Sequence, residues 1–231
     1  MLPAYIRIHD AIKQKIDQEF WKVGQRLPSE RDLSETYHVS RMTLRQAISI
    51  LVDEGILERK IGSGTFVARQ RVQEKMTGTT SFSEIISNQG KQPSSKLISY
   101  QKKIANETEI EKLQLQKGDI VVRMERVRYA DNIPIVYEVA AVPEKIIKTF
   151  KKEEVTDQFF KTLRLHGYEI EKSQQTIYAK TAGEALADLL EIKKGKGILC
   201  LTQISYFTDG KPFEYVKSQY VGDRFEFYFE S

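Results

Sequence analysis

The chain has 231 residues, of which 40% are hydrophobic and 29% charged, and its formal net charge is +4 at pH 7. These values are typical of a globular protein and leave room for two modest domains. The sequence has no apolar run of about 18 residues and no apolar leader, so we expect no membrane span, no secretory signal and a cytoplasmic location. The single cysteine, Cys200, excludes an intrachain disulfide, and its apolar neighbours predict a buried thiol.

Three helices are predicted in the first quarter of the chain. Residues 5–19 carry an apolar stripe at helical spacing, formed by Ile8, Ile12 and Ile16. Ser29 caps a second, short helix and has Asp32 in the capping-box position. Ser40 caps a third helix. The predicted buried face of this third helix comprises Leu44, Ala47, Ile48, Leu51 and Val52.

A small hairpin is predicted after the third helix. Gly55 ends the helix, and two short strands near 57–61 and 65–68 enclose a glycine-rich turn. Gly62 in this turn has no side chain, so its backbone can approach a minor groove or a phosphate closely. Two capped helices followed by such a hairpin are typical of a winged helix-turn-helix, the build of a DNA-binding domain.

The third helix carries side chains suited to reading DNA. Its first turns present Arg41, Thr43 and Arg45, and the four-residue spacing places both arginines on the face turned away from the apolar side. An arginine there can donate two parallel hydrogen bonds to a guanine, worth roughly 1–3 kcal/mol of discrimination. The helix N-terminus, capped by Ser40, also favours a phosphate, and Arg31 of the preceding helix is directed to the same groove. The alternative is a small helical domain whose arginines are merely solvated.

Residues 5–68 resemble the GntR family of winged-helix repressors. The resemblance is carried by Pro28-Ser29-Glu30-Arg31, by Val39-Ser40-Arg41-Met42-Thr43-Leu44-Arg45-Gln46-Ala47 and by Gly62-Ser63-Gly64-Thr65-Phe66-Val67. It implies arginines facing the major groove, a glycine at the minor groove, and hydroxyls on phosphate or base. The DNA-binding residues that it implies are Arg31, Ser40, Arg41, Thr43, Arg45 and Gly62.

The rest of the chain predicts an α+β domain. Residues 69–78 have no periodicity and few large apolar side chains, so we assign them to a linker between domains 1–68 and 79–231. Beyond the linker, short helices alternate with strands, and most strands are expected to pair in an antiparallel sheet. Asp131-Asn132 is the signature of a hairpin between two of these strands.

One strand of the second domain indicates an anion site. Side chains alternate between faces along a strand, so Val122, Met124, Arg126 and Arg128 share one face. Guanidinium groups at the edge of an apolar surface suit an oxyanion, and phosphate fits their geometry. Ser83, near the start of a predicted helix, offers a hydroxyl to the same anion. The alternative is that both arginines pair with carboxylates or reach water.

Residues 79–231 resemble the UTRA effector domain of the HutC branch of the same family, a chorismate-lyase-like α+β fold that binds small molecules. The matching segments are 79–83, 125–128, 132–134 and 218–225. In family members that bind N-acetylglucosamine 6-phosphate, positions matching Ser83, Arg126 and Arg128 hold the phosphate, and positions matching Glu138 and Tyr220 contact the sugar. The three histidines are scattered without ligand spacing, so we expect no metal and no cofactor.

The position of Glu138 depends on the hairpin. A two-residue turn with regular pairing places Arg126 opposite Tyr137 and leaves Glu138 on the other face. A three- or five-residue loop, or a bulge, brings Glu138 alongside Arg126.

The central helix departs from the family pattern. Where relatives carry Ser-x-Tyr, this chain has Gln158-Phe159-Phe160. The amide of Gln158 can still donate to a phosphate, whereas Phe160 cannot, so the identity of the effector stays open.

We expect a ligand-responsive, homodimeric repressor that binds a palindromic operator in double-stranded DNA and a small anionic effector. N-acetylglucosamine 6-phosphate or glucosamine 6-phosphate is the expected effector. The alternatives are trehalose 6-phosphate, another sugar phosphate, a phosphonate or an amino-acid catabolite. A chorismate-lyase-like enzyme is a further alternative, but the sequence offers no catalytic base with an orienting partner.

Overall fold

The computed structural model describes residues 2–68, 71–76 and 80–229, which form two compact units. The first unit extends to Arg71, and the second begins at Val72. Residues 69, 70, 77 and 78 of the predicted linker lie outside the described residues, as does Thr79. The domain limits 1–68, 69–78 and 79–231 therefore stay predictions.

The first unit contains three helices and a hairpin, in the order α1 (Ala4–Asp17), α2 (Glu30–Thr36), α3 (Arg41–Asp53), β1 (Leu57–Lys60) and β2 (Gly64–Val67). Both predicted caps are present, because the hydroxyl of Ser29 accepts from the backbone N–H of Asp32, and that of Ser40 from Thr43. The apolar faces of the helices close over one core, which includes Ile8, Ile12, Leu33, Leu44, Ala47, Ile48 and Leu51. Val52, predicted to be buried, is half-buried.

The second unit is built on a six-stranded antiparallel sheet, with the strand order β4-β5-β6-β9-β8-β7. Its strands are β4 (Pro93–Ile104), β5 (Ile120–Ala130), β6 (Ile133–Pro143), β7 (Ile170–Thr181), β8 (Gly197–Phe207) and β9 (Pro212–Val221). Its helices are α4 (Phe82–Asn88), α5 (Glu107–Leu113), α6 (Glu144–Ile147), α7 (Lys152–Thr156), α8 (Phe159–Leu165) and α9 (Glu184–Leu190). The prediction of an α+β fold with an antiparallel sheet is confirmed.

Helices cover both faces of this sheet. On one face, Leu113 of α5 and Leu190 of α9 pack against strand residues that include Val121 and Val127. On the other face, Phe159 of α8 packs near Met124, and side chains of α4 pack against the ends of β6 and β9. This second face also carries the two arginines of β5, so the sheet positions them beneath α4, α7 and α8.

A parallel pair of short strands completes the second unit. β3 (Val72–Lys75) pairs with β10 (Phe225–Tyr228), and Phe225 lies opposite Val72. The segment that the sequence assigns to the linker therefore contains a strand. The sequence did not indicate it, because each strand is four residues long and the partners are far apart along the chain.

The β5–β6 hairpin combines a two-residue turn with a bulge. Asp131 and Asn132 both have positive φ, and Ala130 lies opposite Ile133. The register then shifts, because Tyr129 pairs with Pro134 but Arg128 pairs with Val136. The extra residue on β6 places Glu138 directly opposite Arg126. Of the two arrangements considered from the sequence, the structure has the one with the bulge.

Two further features concern the single thiol and the length of the helices. Cys200 is buried, as predicted. Within the described ranges, no helix is both long and apolar enough to cross a membrane.

Candidate DNA-binding surface and effector cavity

The first turns of α3 expose charged and polar side chains. Arg41 and Arg45 are both solvent-exposed, on the side opposite the buried Leu44 and Ile48. The hydroxyl of Ser40 caps the helix, and its Oγ lies 2.9 Å from Oγ1 of Thr43. Exposed guanidinium groups beside a capped helix N-terminus form a surface that can contact phosphates and base edges.

Glu30, the first residue of α2, connects three elements of this surface. Arg45 donates to one carboxylate oxygen of Glu30 through Nε and Nη2, at 3.1 and 3.0 Å. Arg59 of β1 places its Nη2 3.6 Å from the other oxygen. Sequence reasoning missed this role, although Glu30 stands in the Pro-Ser-Glu-Arg motif. Arg31 is held separately by an exposed pair with Glu35, at 3.2 Å.

The hairpin turn requires two glycine conformations. Gly62, at the tip, has a φ of +73°, and a Cβ added there would meet nothing within 4 Å. Gly64 has a φ of +113°, and a Cβ there would lie 2.8 Å from Nε of Arg26. Gly62 is thus free for an external contact, whereas Gly64 accommodates a side chain of its own domain.

All six predicted effector residues line one cavity in the second unit. They are Ser83 of α4, Arg126 and Arg128 of β5, Glu138 of β6, Gln158 just before α8, and Tyr220 of β9. Phe160, the departure from the family pattern, lines the same cavity. The structure therefore brings together residues that are up to 137 positions apart in the sequence.

Arg126 is buried and pairs within the cavity wall. Its Nε donates to Oε2 of Glu138 at 2.7 Å, and its Nη1 donates to the backbone carbonyl of Thr156 at 2.5 Å. The alternative considered from the sequence, a carboxylate partner, thus holds for this arginine.

Arg128 is also buried but less completely paired. Its Nη2 donates to the hydroxyl of Ser83 at 2.7 Å, and its Nη1 lies 3.8 Å from the Glu138 carboxylate. The guanidinium carbon sits 4.6 Å from the ring centre of Phe82. Its Nε has no hydrogen-bond partner among the described residues. Burial, together with the charge of Arg126, lowers the pKa of Arg128 to about 10.

Three buried carboxyl groups line the same cavity, and they differ in their electrostatic surroundings. Burial opposes ionisation of Glu138, but the guanidinium groups of Arg126 and Arg128 outweigh it and lower the pKa of Glu138. Burial raises the pKa of Glu214 to about 7, although the charge of Arg126 opposes the rise. Burial and the nearby charge of Glu138 raise the pKa of Glu74, on β3, to about 7.

Sequence reasoning missed two of these carboxyl groups. Glu214 stands six residues before Tyr220 on β9, so strand alternation places both on one face, and that signal was available. Glu74 lies in the segment assigned to the linker, where no sequence signal marks a buried side chain. Burial raises the pKa of Tyr220 itself well above its usual value, and the charge of Glu74 adds to the effect.

Comparisons with known proteins bear on both units. Residues 4–67 match the family of bacterial regulatory proteins called gntR, and residues 88–226 match the UTRA domain. The HTH-type transcriptional repressor NagR of Bacillus subtilis is 32% identical over 98% of this chain and 93% of its own length. The mannosyl-D-glycerate transport/metabolism system repressor MngR of Escherichia coli is 31% identical over 97% and 94%. The crystal structure of PhnF from Mycobacterium smegmatis has a TM-score of 0.78 at 25% identity, over 97% of this chain and 98% of that one.

The two family matches follow the division of the fold, with a helical unit and hairpin first and the six-stranded sheet second. NagR and MngR match nearly the whole chain and are transcriptional repressors by name. The chain therefore belongs to the GntR family, in its UTRA-containing HutC branch, and is a DNA-binding transcriptional regulator that responds to a small molecule, and not an enzyme.

Proposed function

We propose that the protein is a repressor that binds a palindromic operator as a homodimer and that its effector is a sugar phosphate. N-acetylglucosamine 6-phosphate and glucosamine 6-phosphate are the first candidates. One observation carries this proposal. The buried guanidinium groups of Arg126 and Arg128 line one cavity, beside the hydroxyl of Ser83.

Arg128 supports a phosphate in particular. Its Nε lacks a partner among the described residues, and an unpaired donor on a buried cation is costly. A phosphate oxygen would accept from this group, and the neighbouring Ser83 and Gln158 can donate to the remaining oxygens. Glu138 and Tyr220 lie in the same cavity and offer a carboxylate and a hydroxyl to a sugar.

On the DNA side, the proposal assigns Arg31, Arg41 and Arg45 to the major groove and Gly62 to the minor groove. Ser40 and Thr43 are assigned to phosphate or base contacts. The exposure of the arginines and the open space around Gly62 support these roles. Two-fold symmetric dimers of helix-turn-helix domains bind half-sites about one helical turn of DNA apart, and we therefore expect a palindromic operator.

The effector proposal is tested by isothermal titration calorimetry of the full-length protein. Wild type should bind both sugar phosphates and should bind N-acetylglucosamine and glucosamine far more weakly. Arg128→Gln should lower the affinity for the phosphorylated forms about 10- to 100-fold, because a charge-assisted pair is lost. The matched control is Lys102→Gln, which removes an exposed cation of β4 outside the cavity and should leave the affinity unchanged. Equal binding with and without the phosphate group would rule the proposal out.

A second candidate effector is a phosphonate or another phosphorylated metabolite. The observation that favours it is the presence of Phe160 in the cavity wall. This aromatic ring lines the cavity where family members carry a hydroxyl, so the cavity has a more apolar wall. A thermal-shift screen that includes trehalose 6-phosphate and simple phosphonates separates these effectors from the amino sugars.

A further inference from the structure

Glu74 is a buried carboxyl group that no part of the proposed phosphate site uses. Glu74 lies on β3 and is 8% exposed. It lines the same cavity as Arg126 and Arg128. Its Oε2 has no hydrogen-bond partner among the residues that the structure describes. A buried acceptor left without a partner is destabilising, and a ligand group that donates to it from the cavity would remove that cost.

The charges of the cavity wall favour a cationic donor. Both buried guanidinium groups are directed at Glu138, one at 2.7 Å and the other at 3.8 Å, whereas Glu74 receives neither. Among the described residues, Glu214 accepts one hydrogen bond, from the hydroxyl of Ser205 at 3.4 Å. A phosphate added at the arginines would bring further negative charge into a wall that already has more carboxyl than guanidinium groups, and an amine on the same ligand would balance it.

We propose that Glu74 binds an ammonium group of the effector, so that the effector is a phosphorylated amine, with its anion at the arginines and its amine at β3. This inference rests on the proposed sugar-phosphate site and names the class of compound that the site takes. It favours glucosamine 6-phosphate over its N-acetylated and hydroxylated counterparts. Glu74 is then a specificity-determining residue, in the first strand that follows the DNA-binding unit.

The test compares two ligands that differ in one group. Glucosamine 6-phosphate and glucose 6-phosphate carry an ammonium and a hydroxyl at the same carbon, and both are titrated into full-length wild type, Glu74→Gln, Glu214→Gln and Glu107→Gln. We expect wild type to prefer the amine at least about ten-fold, since an ion pair is lost with the hydroxyl. Glu74→Gln should reduce that ratio to about one and leave the affinity for glucose 6-phosphate within about three-fold. Glu107 is an exposed carboxylate of α5 outside this cavity, so its variant should keep the wild-type ratio.

The outcomes of these titrations distinguish the role of Glu74 from the existence of the phosphate site. An unchanged ratio in Glu74→Gln, or loss of the preference in Glu214→Gln alone, would overturn the role of Glu74 and leave the phosphate site standing. Failure of wild type to bind either compound would overturn the proposed function and this inference together. Glu74→Asp, which keeps the charge, should retain part of the preference and shows that any loss in Glu74→Gln is not a folding defect.

Discussion

At the residue scale, the two candidate sites use arginine in opposite ways. Arg41 and Arg45 are exposed, and Arg45 is oriented by Glu30 at the protein surface. Arg126 and Arg128 are buried, so their charges act in a medium of low dielectric constant and need partners. The exposed pair suits a large polyanion that arrives from solvent, whereas the buried pair suits a small anion that the cavity encloses.

Removal of either exposed arginine should weaken operator recognition. We expect Arg41→Ala and Arg45→Ala each to cost roughly 1–3 kcal/mol of operator binding, because each removes a bidentate donor for a base. Fluorescence anisotropy with a selected operator duplex measures this loss. Lys13→Ala removes the same charge from an exposed position of α1 and serves as the control. Wild-type affinity in both arginine variants would refute the assignment of α3 to the major groove.

The raised pKa of Glu74 predicts a pH-dependent contribution to stability. A carboxyl group whose pKa is higher in the folded protein stabilises the fold below its unfolded value, and that contribution is lost as the pH rises through the folded value. With a rise from 4.5 to about 7, the loss occurs between those two pH values. In Glu74→Gln it is absent, so the free energy of unfolding of the variant should gain on wild type by about 2–3 kcal/mol from pH 5 to pH 8.

Urea denaturation of both proteins at several pH values measures this difference. The comparison uses the trend with pH, so a constant offset caused by the glutamine amide does not affect it. A difference that stays the same across the range would show that the Glu74 pKa is ordinary in the folded protein.

At the scale of elements, local patterns in the sequence were sufficient for the first unit. The caps at Ser29 and Ser40 and the apolar spacing of α1 and α3 depend on neighbours within one or two helical turns. The six proposed effector residues were predicted from strand alternation and the family resemblance, and they line one cavity. What the sequence did not reveal depends on distant partners, as in the pairing of β3 with β10 and hence the burial of Glu74.

The register of the β5–β6 hairpin shows the same limit. The Asp131-Asn132 turn was readable, but the bulge opposite Tyr129 was not, because nothing in Ile133 to Val136 marks an extra residue. That bulge decides whether Glu138 faces the cavity or the opposite side of the sheet.

The two glycines of the hairpin in the first unit should respond differently to alanine. Gly64→Ala places a Cβ 2.8 Å from Nε of Arg26 at a φ of +113°, so we expect it to lower the free energy of unfolding by about 1–3 kcal/mol. Gly62→Ala meets open space at a φ of +73°, so its cost should be nearer about 1 kcal/mol. Thermal unfolding ranks the two variants. Only Gly62→Ala should reduce operator affinity at a temperature where both variants are folded, and a larger loss of stability in Gly62→Ala would contradict this account of the turn.

At the scale of the whole molecule, the function requires that occupation of the cavity changes the affinity for the operator. Such coupling is reciprocal and typically amounts to about 1–3 kcal/mol. The chain connects the two units directly, since the cavity residue Glu74 stands three positions after Arg71, where the first unit ends. A ligand that binds better to one arrangement of the protein than to another will shift the population of DNA-binding states.

The most direct test is the operator affinity of wild type and Arg128→Gln, each with no ligand and with glucosamine 6-phosphate at a concentration that calorimetry shows to saturate wild type but to leave the variant mostly unoccupied. The operator is first selected from a pool of random duplexes, and anisotropy gives the Kd at fixed salt. We predict that the ligand changes the Kd of wild type at least about five-fold and leaves that of Arg128→Gln unaltered. An identical Kd in wild type with and without a ligand that calorimetry shows to be bound would contradict the account.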